Sequence, residues 1–166
     1  MIKVVDNFLD KEEFATLRGI VMGDNFPWYF SASSVSNGDN CPQFSHMCYE
    51  DLQPLSNTWH DIQPLIRKLN PMGMLRAKFN ATPRTSKVVK KPLHYDYTLD
   101  LDGNQPLDNK ICIYYLNDND GYTYFESGHS IESVANRAVF FSGKEKHAGT
   151  SCTNDELRVV LNINYS

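Results

Sequence analysis

No stretch of the 166-residue sequence approaches the roughly 18 consecutive apolar residues of a membrane-spanning helix. The amino terminus, Met1-Ile2-Lys3-Val4-Val5-Asp6, lacks the long apolar region of a secretory signal. Basic clusters are scarce. The longest, Lys87-Val88-Val89-Lys90-Lys91, reads as a solvated loop, and the net charge is -4. Such a chain is a poor match for phosphate backbones, so no nucleic-acid partner is expected. Cysteine is limited to Cys41, Cys48, Cys112 and Cys152, with no Cys-x-x-Cys pair of a zinc or redox site. Reduced thiols, a cytoplasmic location and no membrane contact are the corresponding expectations. There is no internal repeat and no sign of a second domain. Residues 1–166 read as one domain, acting as a monomer or weak dimer.

What is present is ordinary globular material, 41% hydrophobic and 12% aromatic. Residues 1–70 read as a helical support region with loops. Asp10 and Glu13 resemble a capping box, and Phe14, Leu17, Ile20 and Val21 follow at helical spacing until Gly23. A loop is expected from Asp24 to Asn40, carrying the aromatics Phe26, Trp28, Tyr29 and Phe30. A second helix is expected from Pro54 to Leu69, with its apolar stripe at Leu55, Trp59, Ile62, Ile66 and Leu69. Pro54 suits a first turn, and Pro64 should break the helix.

Residues 71–166 read as a β core. Strands are expected near 74–80, 93–98, 111–116, 122–126, 138–142, 146–151 and 157–165. The fold class is therefore mainly β with N-terminal helices, a jelly roll in architecture.

Of the histidines, only His94 has a carboxylate two residues on, in His94-Tyr95-Asp96. Residues i and i+2 of a strand share a face, so this segment can aim an imidazole and a carboxylate at one ion. A distal histidine would complete the two-histidine, one-carboxylate face of a non-haem Fe(II) site. His147, after the strand Ala138-Val139-Phe140-Phe141, is the candidate. Read alone, it is equally a surface-loop histidine. His46, His60 and His129 have no partner pattern and read as non-ligands.

The last strand alternates. Leu157, Val159, Leu161, Ile163 and Tyr165 share one face; Arg158, Val160, Asn162 and Asn164 share the other. A hairpin closing at Asn154-Asp155 would set Ser151 opposite Arg158 and His147 opposite Asn162. Arg158 would then stand about 13 Å along the ladder from the metal ligand. That separation suits a small dicarboxylate held by metal at one end and guanidinium at the other. The alternative is a rim arginine paired with Asp155 or Glu156. In the same register Asn162 would touch the metal-bound end of the dicarboxylate.

The sequence resembles the Fe(II)/2-oxoglutarate-dependent dioxygenases, in their small prolyl-hydroxylase-like branch, from Val5-Asp6-Asn7-Phe8-Leu9 to the end of the chain. His94, Asp96, His147 and Arg158 match the family's His-x-Asp pair, distal His and following basic residue in order and spacing. Asp120-Gly121-Tyr122-Thr123-Tyr124-Phe125 looks like the family's Gly-Gly-x-Thr-x-Phe turn with its first glycine replaced. Asn136-Arg137-Ala138-Val139-Phe140-Phe141 looks like its Gly-Arg-x-x-x-Phe strand, again without the glycine.

The resemblance implies a double-stranded β-helix core, with Fe(II) held by His94, Asp96 and His147. It also implies 2-oxoglutarate as co-substrate, dioxygen as oxidant and ascorbate as reductant. Hydroxylation of a C–H bond would release succinate and CO2. A peptidyl proline or other protein side chain is the implied target, with a free amino acid or small metabolite as alternative. Asn80 and Tyr114 sit where the family often contacts the co-substrate. Tyr95, Tyr97 and the Trp28 segment would line the mouth. A halogenase is disfavoured because Asp96 fills the halide position. From another class, a non-catalytic cupin-like binding module stands as the alternative.

Overall fold

A computed structural model gives the fold, and it describes residues 1–34, 41–100, 102 and 104–166. The expected loop from Asp24 to Asn40 falls partly outside these residues. Asp10 caps the first helix, α1 (Lys11–Val21), by accepting from the backbone N–H groups of Glu12 and Glu13 at 3.1 and 2.9 Å. A short strand precedes it, β1 (Lys3–Val5).

The next residues depart from the sequence reading. Three strands, β2 (Tyr29–Ser31), β3 (Gln43–Glu50) and β4 (Gln53–Pro54), stand in the region expected to be helical. Pro54 lies in β4 and does not open a helix. The expected second helix is two short ones, α2 (Thr58–Asp61) and α3 (Gln63–Leu69). The break falls at Ile62, and Pro64 takes the first turn of α3, where its missing N–H costs nothing. Asn70, at φ 47°, ends α3 in the left-handed region.

Seven strands complete the chain: β5 (Met74–Pro83), β6 (Lys110–Tyr115), β7 (Asn119–Phe125), β8 (Ser130–Ser133), β9 (Ala138–Ser142), β10 (His147–Gly149) and β11 (Leu157–Tyr165). Among the described residues they form two antiparallel sheets. The larger runs β1-β9-β6-β11-β5-β3-β2, with β4 beside β3; the smaller runs β10-β7-β8. Residues 93–98 are not a regular strand. His94 bridges His147 and Thr98 bridges Pro106, and no longer ladder forms. Pro92, just before, has no N–H to give a ladder.

The expected hairpin between β10 and β11 does not exist. β10 pairs with β7, while β11 has both edges filled by β5 and β6. Residues 150–156 therefore cross from one sheet to the other, which is how a jelly roll is wound.

The alternation of β11 divides the molecule. Val159, Leu161, Ile163 and Tyr165 pack with Ala77, Phe79, Leu17, Ile62 and Leu65 in the core under the helices. The other face looks into the space between the sheets. On its β6–β9 side that space is filled by Ile111, Ile113, Tyr115, Phe125, Val139, Phe141 and Val160. On its β11–β5–β3 side the lining is polar, and a cavity opens there. Among the described residues, no helix is long and apolar enough to cross a membrane.

Candidate active site

The cavity has a volume of about 260 Å³, and its lining includes His94, Asp96, His147, Arg158, Asn162 and Asn80. That is near the low end for small-molecule pockets. His94 and His147 come together because they bridge, each N–H donating to the other's carbonyl at 3.1 Å. Asp96 turns back toward both rings. One ligand atom from each of the three residues lies within 4.8 Å of the others.

The three groups are prepared differently. The Nδ1 of His94 sits 3.1 Å from the Pro92 carbonyl, which makes it the donor and leaves Nε2 as the ligand atom facing Asp96. His147 is buried among Phe125 and Phe141 rings. Burial pushes its pKa down to about 4, against the pull of Asp96, so the imidazole is neutral, as a metal ligand must be. Burial alone would raise Asp96. The His94 contact and the fields of His147 and Arg76 outweigh it and hold the carboxyl well below its usual range. The carboxylate is also gripped from behind. Asn162 and Asn164 donate to Oδ2 at 3.0 and 2.9 Å, and Arg76 Nη2 lies 3.1 Å from Oδ1. This donor set fits a divalent metal with open positions, with outer partners that orient the carboxylate.

Arg158 occupies the opposite end of the cavity. It is buried, and neither Asp155 nor Glu156 pairs with it; Glu156 faces Arg84 at 3.6 Å. Its Nε donates to Ser133 Oγ at 2.8 Å and its Nη2 to Thr123 Oγ1 at 2.9 Å. Two glycines make room for it. A Cβ on Gly121 would stand 2.6 Å from Arg158 Cδ, and one on Gly149 would stand 2.9 Å from Nη1. The expected hairpin set His147 opposite Asn162 and Ser151 opposite Arg158; in the structure Asn162 reaches Asp96, and Gly149, two residues after His147, faces Arg158 from the other sheet.

Asn80 lines the cavity, and its Oδ1 is buried with no partner among the described residues. Asn162 donates to Asp96, so it positions that carboxylate. Tyr114 corrects the expectation of a co-substrate contact. It lies on the helix side of β6, packs against Phe8 and Phe14, and donates to Asn136 Oδ1 at 2.6 Å. Its neighbour Ile113 faces the cavity instead. Tyr95 lines the cavity, while Tyr97 stacks under Arg76, whose guanidinium carbon is 5.0 Å from the ring centre. Trp28 packs against Phe26 in the core under the helices.

Arg76, Lys78, Thr82 and Lys91 escaped the sequence reading. With the expected Asn80, the first three form a polar stripe along the cavity face of β5. Lys91 Nζ donates to Gln43 Oε1 at 2.8 Å and Thr82 Oγ1 at 2.9 Å. The alternation Arg76-Ala77-Lys78-Phe79-Asn80 carried the signal: a charged or polar residue at every second position of a strand apolar on its other face.

No sequence-family model and no curated protein sequence matches the chain. Its fold is nonetheless shared with solved structures. The non-haem α-ketoglutarate-dependent epimerase SnoN from nogalamycin biosynthesis aligns at TM-score 0.68 and 14% identity, over 99% of this chain and 75% of that one. A Trichoplax adhaerens prolyl hydroxylase in complex with a hypoxia-inducible-factor peptide aligns at 0.67 and 12%, over 99% and 83%. The viral collagen prolyl hydroxylase of Paramecium bursaria Chlorella virus-1, in its 2-oxoglutarate complex, aligns at 0.61 and 14%, over 99% and 96%. The chain thus has the jelly-roll fold of 2-oxoglutarate/Fe(II) oxygenases, prolyl hydroxylases and an epimerase among them.

Proposed function

We propose that this protein is an Fe(II)- and 2-oxoglutarate-dependent oxygenase that hydroxylates a C–H bond, in a peptidyl proline or another protein side chain. The observation that carries this reading is the convergence of His94, Asp96 and His147 at one end of a cavity whose other end is a buried arginine. A binding module needs neither the open ligand set nor a guanidinium spaced from it by one small dicarboxylate.

When bound, ferrous iron with 2-oxoglutarate and dioxygen supplies the oxidant for a C–H bond, and succinate and CO2 leave. The protein's own residues do the rest. His94, neutral His147 and ionised Asp96 would hold the metal and leave positions open for co-substrate and oxidant. Asn162, Asn164 and Arg76 fix the carboxylate. Arg158, backed by Ser133 and Thr123, binds the far carboxylate of the co-substrate through its remaining donors. The apolar wall of Ile113, Phe125, Phe141 and Val160 limits water around them. The His94 side chain is 25% exposed, while Asp96 and His147 are 4% exposed. A substrate therefore approaches from the His94 side, where the adjacent Leu93 is also exposed. That open side suits an extended peptide, and a prolyl hydroxylase of the same fold is in complex with a peptide fragment.

Purified protein with Fe(II), ascorbate, dioxygen and 2-oxoglutarate should form succinate slowly, and a proline-containing peptide should accelerate this and gain one oxygen atom. Hydroxylation of a free amino acid and of no peptide would change the substrate class and leave the oxygenase reading standing. No consumption of 2-oxoglutarate by metal-loaded protein would return the binding module as the better account.

A further inference from the structure

The cavity is more positive than its proposed chemistry needs. Arg76, Lys78, Lys91 and Arg158 line it, and Asp96 is the one carboxylate among the described lining residues. In a minimal site of this kind the formal charges cancel. Ferrous iron and one anchoring cation balance the ligand carboxylate and the 2-oxoglutarate dianion. Arg158 is the anchoring cation here. Arg76 and Lys78 stand outside the balance even when Lys91 is left out of it. Uncompensated positive charge in a part-buried cavity is costly unless something negative arrives.

The two surplus cations sit at the metal end. On the cavity face Lys78 pairs with Asn162, and Arg76 with Asn164, the two asparagines that hold Asp96. Arg158 pairs with Thr82, four residues further along β11, or about 13 Å away. The far carboxylate held by Arg158 is therefore out of reach of Lys78, and the near carboxylate is already balanced by the metal in the count above. Arg76 is partly satisfied by Asp96 at 3.1 Å, though its Nε is buried without a partner among the described residues. Lys78 makes no ion pair within 4.0 Å and no hydrogen bond among the described residues. Asp96 and Glu50 act on it only at a distance.

We infer that Lys78 and Arg76 form a subsite for an anionic group of the primary substrate, a carboxylate held beside the carbon to be oxidised. This rests on the oxygenase reading and narrows its substrate to acids. The carboxylate can come from a free acid or from an acidic side chain next to the target residue of a peptide. Lys78, with three donors on a flexible stem, closes on the carboxylate, while Arg76 is held in place by Asp96 and Tyr97.

The test uses the full chain loaded with Mn(II) and saturating 2-oxoglutarate, without oxygen. Calorimetry measures binding of N-acetylproline, N-acetylglutamate and a blocked proline–glutamate dipeptide, each beside its neutral amide. The acids should bind about tenfold or more tightly than the amides. Lys78→Met should erase that preference and Lys78→Arg should restore most of it, with 2-oxoglutarate affinity unchanged in both. Lys78→Gln serves if Lys78→Met does not fold. A preference confined to the free acids identifies a small-molecule substrate, and one confined to the dipeptide identifies an acidic peptide. Equal binding of acids and amides overturns the subsite, as does no Lys78-dependent binding of any probe. Weakened 2-oxoglutarate binding in Lys78→Met also overturns it, because Lys78 would then serve the co-substrate. Failure of wild-type protein to bind 2-oxoglutarate at all overturns the oxygenase reading and this inference together.

Discussion

Asn164 and Asp96 stand 68 residues apart in the chain and are joined by a 2.9 Å hydrogen bond from Nδ2 to Oδ2. The same Oδ2 accepts from Asn162, and Asn164 Oδ1 accepts from Asn109 at 3.0 Å. The central strand of the larger sheet thus orients the one carboxylate of the candidate metal site. Asn164→Ala should lower Mn(II) affinity about 10- to 100-fold, the usual effect of losing an outer partner of a ligand. It should also cost about 1–3 kcal/mol of stability, since Asn164 is fully buried. Metal titration followed by electron paramagnetic resonance, beside thermal unfolding, separates the two. Lower stability with unchanged metal affinity would make Asn164 purely structural.

Arg158 depends on empty space in the facing sheet. Arg158→Ala should weaken 2-oxoglutarate binding by about 2–5 kcal/mol, because a desolvated carboxylate loses its charged donor. Gly121→Ala and Gly149→Ala should act in the same direction with the arginine still present, since either Cβ collides with it. Calorimetry of the Mn(II)-loaded variants measures this. Metal affinity without co-substrate should change little in all three. Equal loss of metal and co-substrate would show that Arg158 supports the fold rather than the ligand.

Acid should loosen the metal-free protein in a defined window. His147 has its pKa lowered by burial from 6.5 to about 4, so the folded state resists the proton that the unfolded chain accepts. The stability from keeping His147 neutral is fully present above pH 6.5. It is lost progressively as the pH falls toward 4. Asp96, also lowered, adds a loss of the same sign below the ordinary carboxylate range near 3.8. Thermal unfolding across this range should show a falling limb that His147→Gln flattens. An unchanged limb in that variant would assign the acid sensitivity to other groups.

The sequence made the chemistry of the site more legible than its surroundings. The His94-Tyr95-Asp96 spacing, the distal His147 and the alternation of β11 are local patterns, and each points where the fold uses it. Strand partners are not local. β11 looked like half of a hairpin with β10 because a turn separates them, but the two edges of β11 were already claimed by β5 and β6. β3 was missed for a related reason. Its alternation is carried by Phe44, His46 and Cys48 against Gln43, Ser45 and Met47, which lacks the β-branched residues that advertise a strand. Tyr114 shows the limit of alternation itself. The pattern of β6 says that Ile113 and Tyr114 face opposite ways, while only packing decides which face meets the cavity. The surplus cations Arg76 and Lys78 became visible once β5 was known to lie beside Asn162 and Asn164.

The central claim is that one divalent iron and 2-oxoglutarate share the cavity, bound by His94, Asp96 and His147 at one end and Arg158 at the other. Anaerobic titration of Fe(II)-loaded protein with 2-oxoglutarate, followed by visible absorption, tests it most directly. A saturable metal-to-ligand charge-transfer band should appear in the wild type. It should vanish in His147→Ala and require much more 2-oxoglutarate in Arg158→Ala. A wild type that takes up Fe(II) yet shows no band and no calorimetric binding of 2-oxoglutarate would contradict the account.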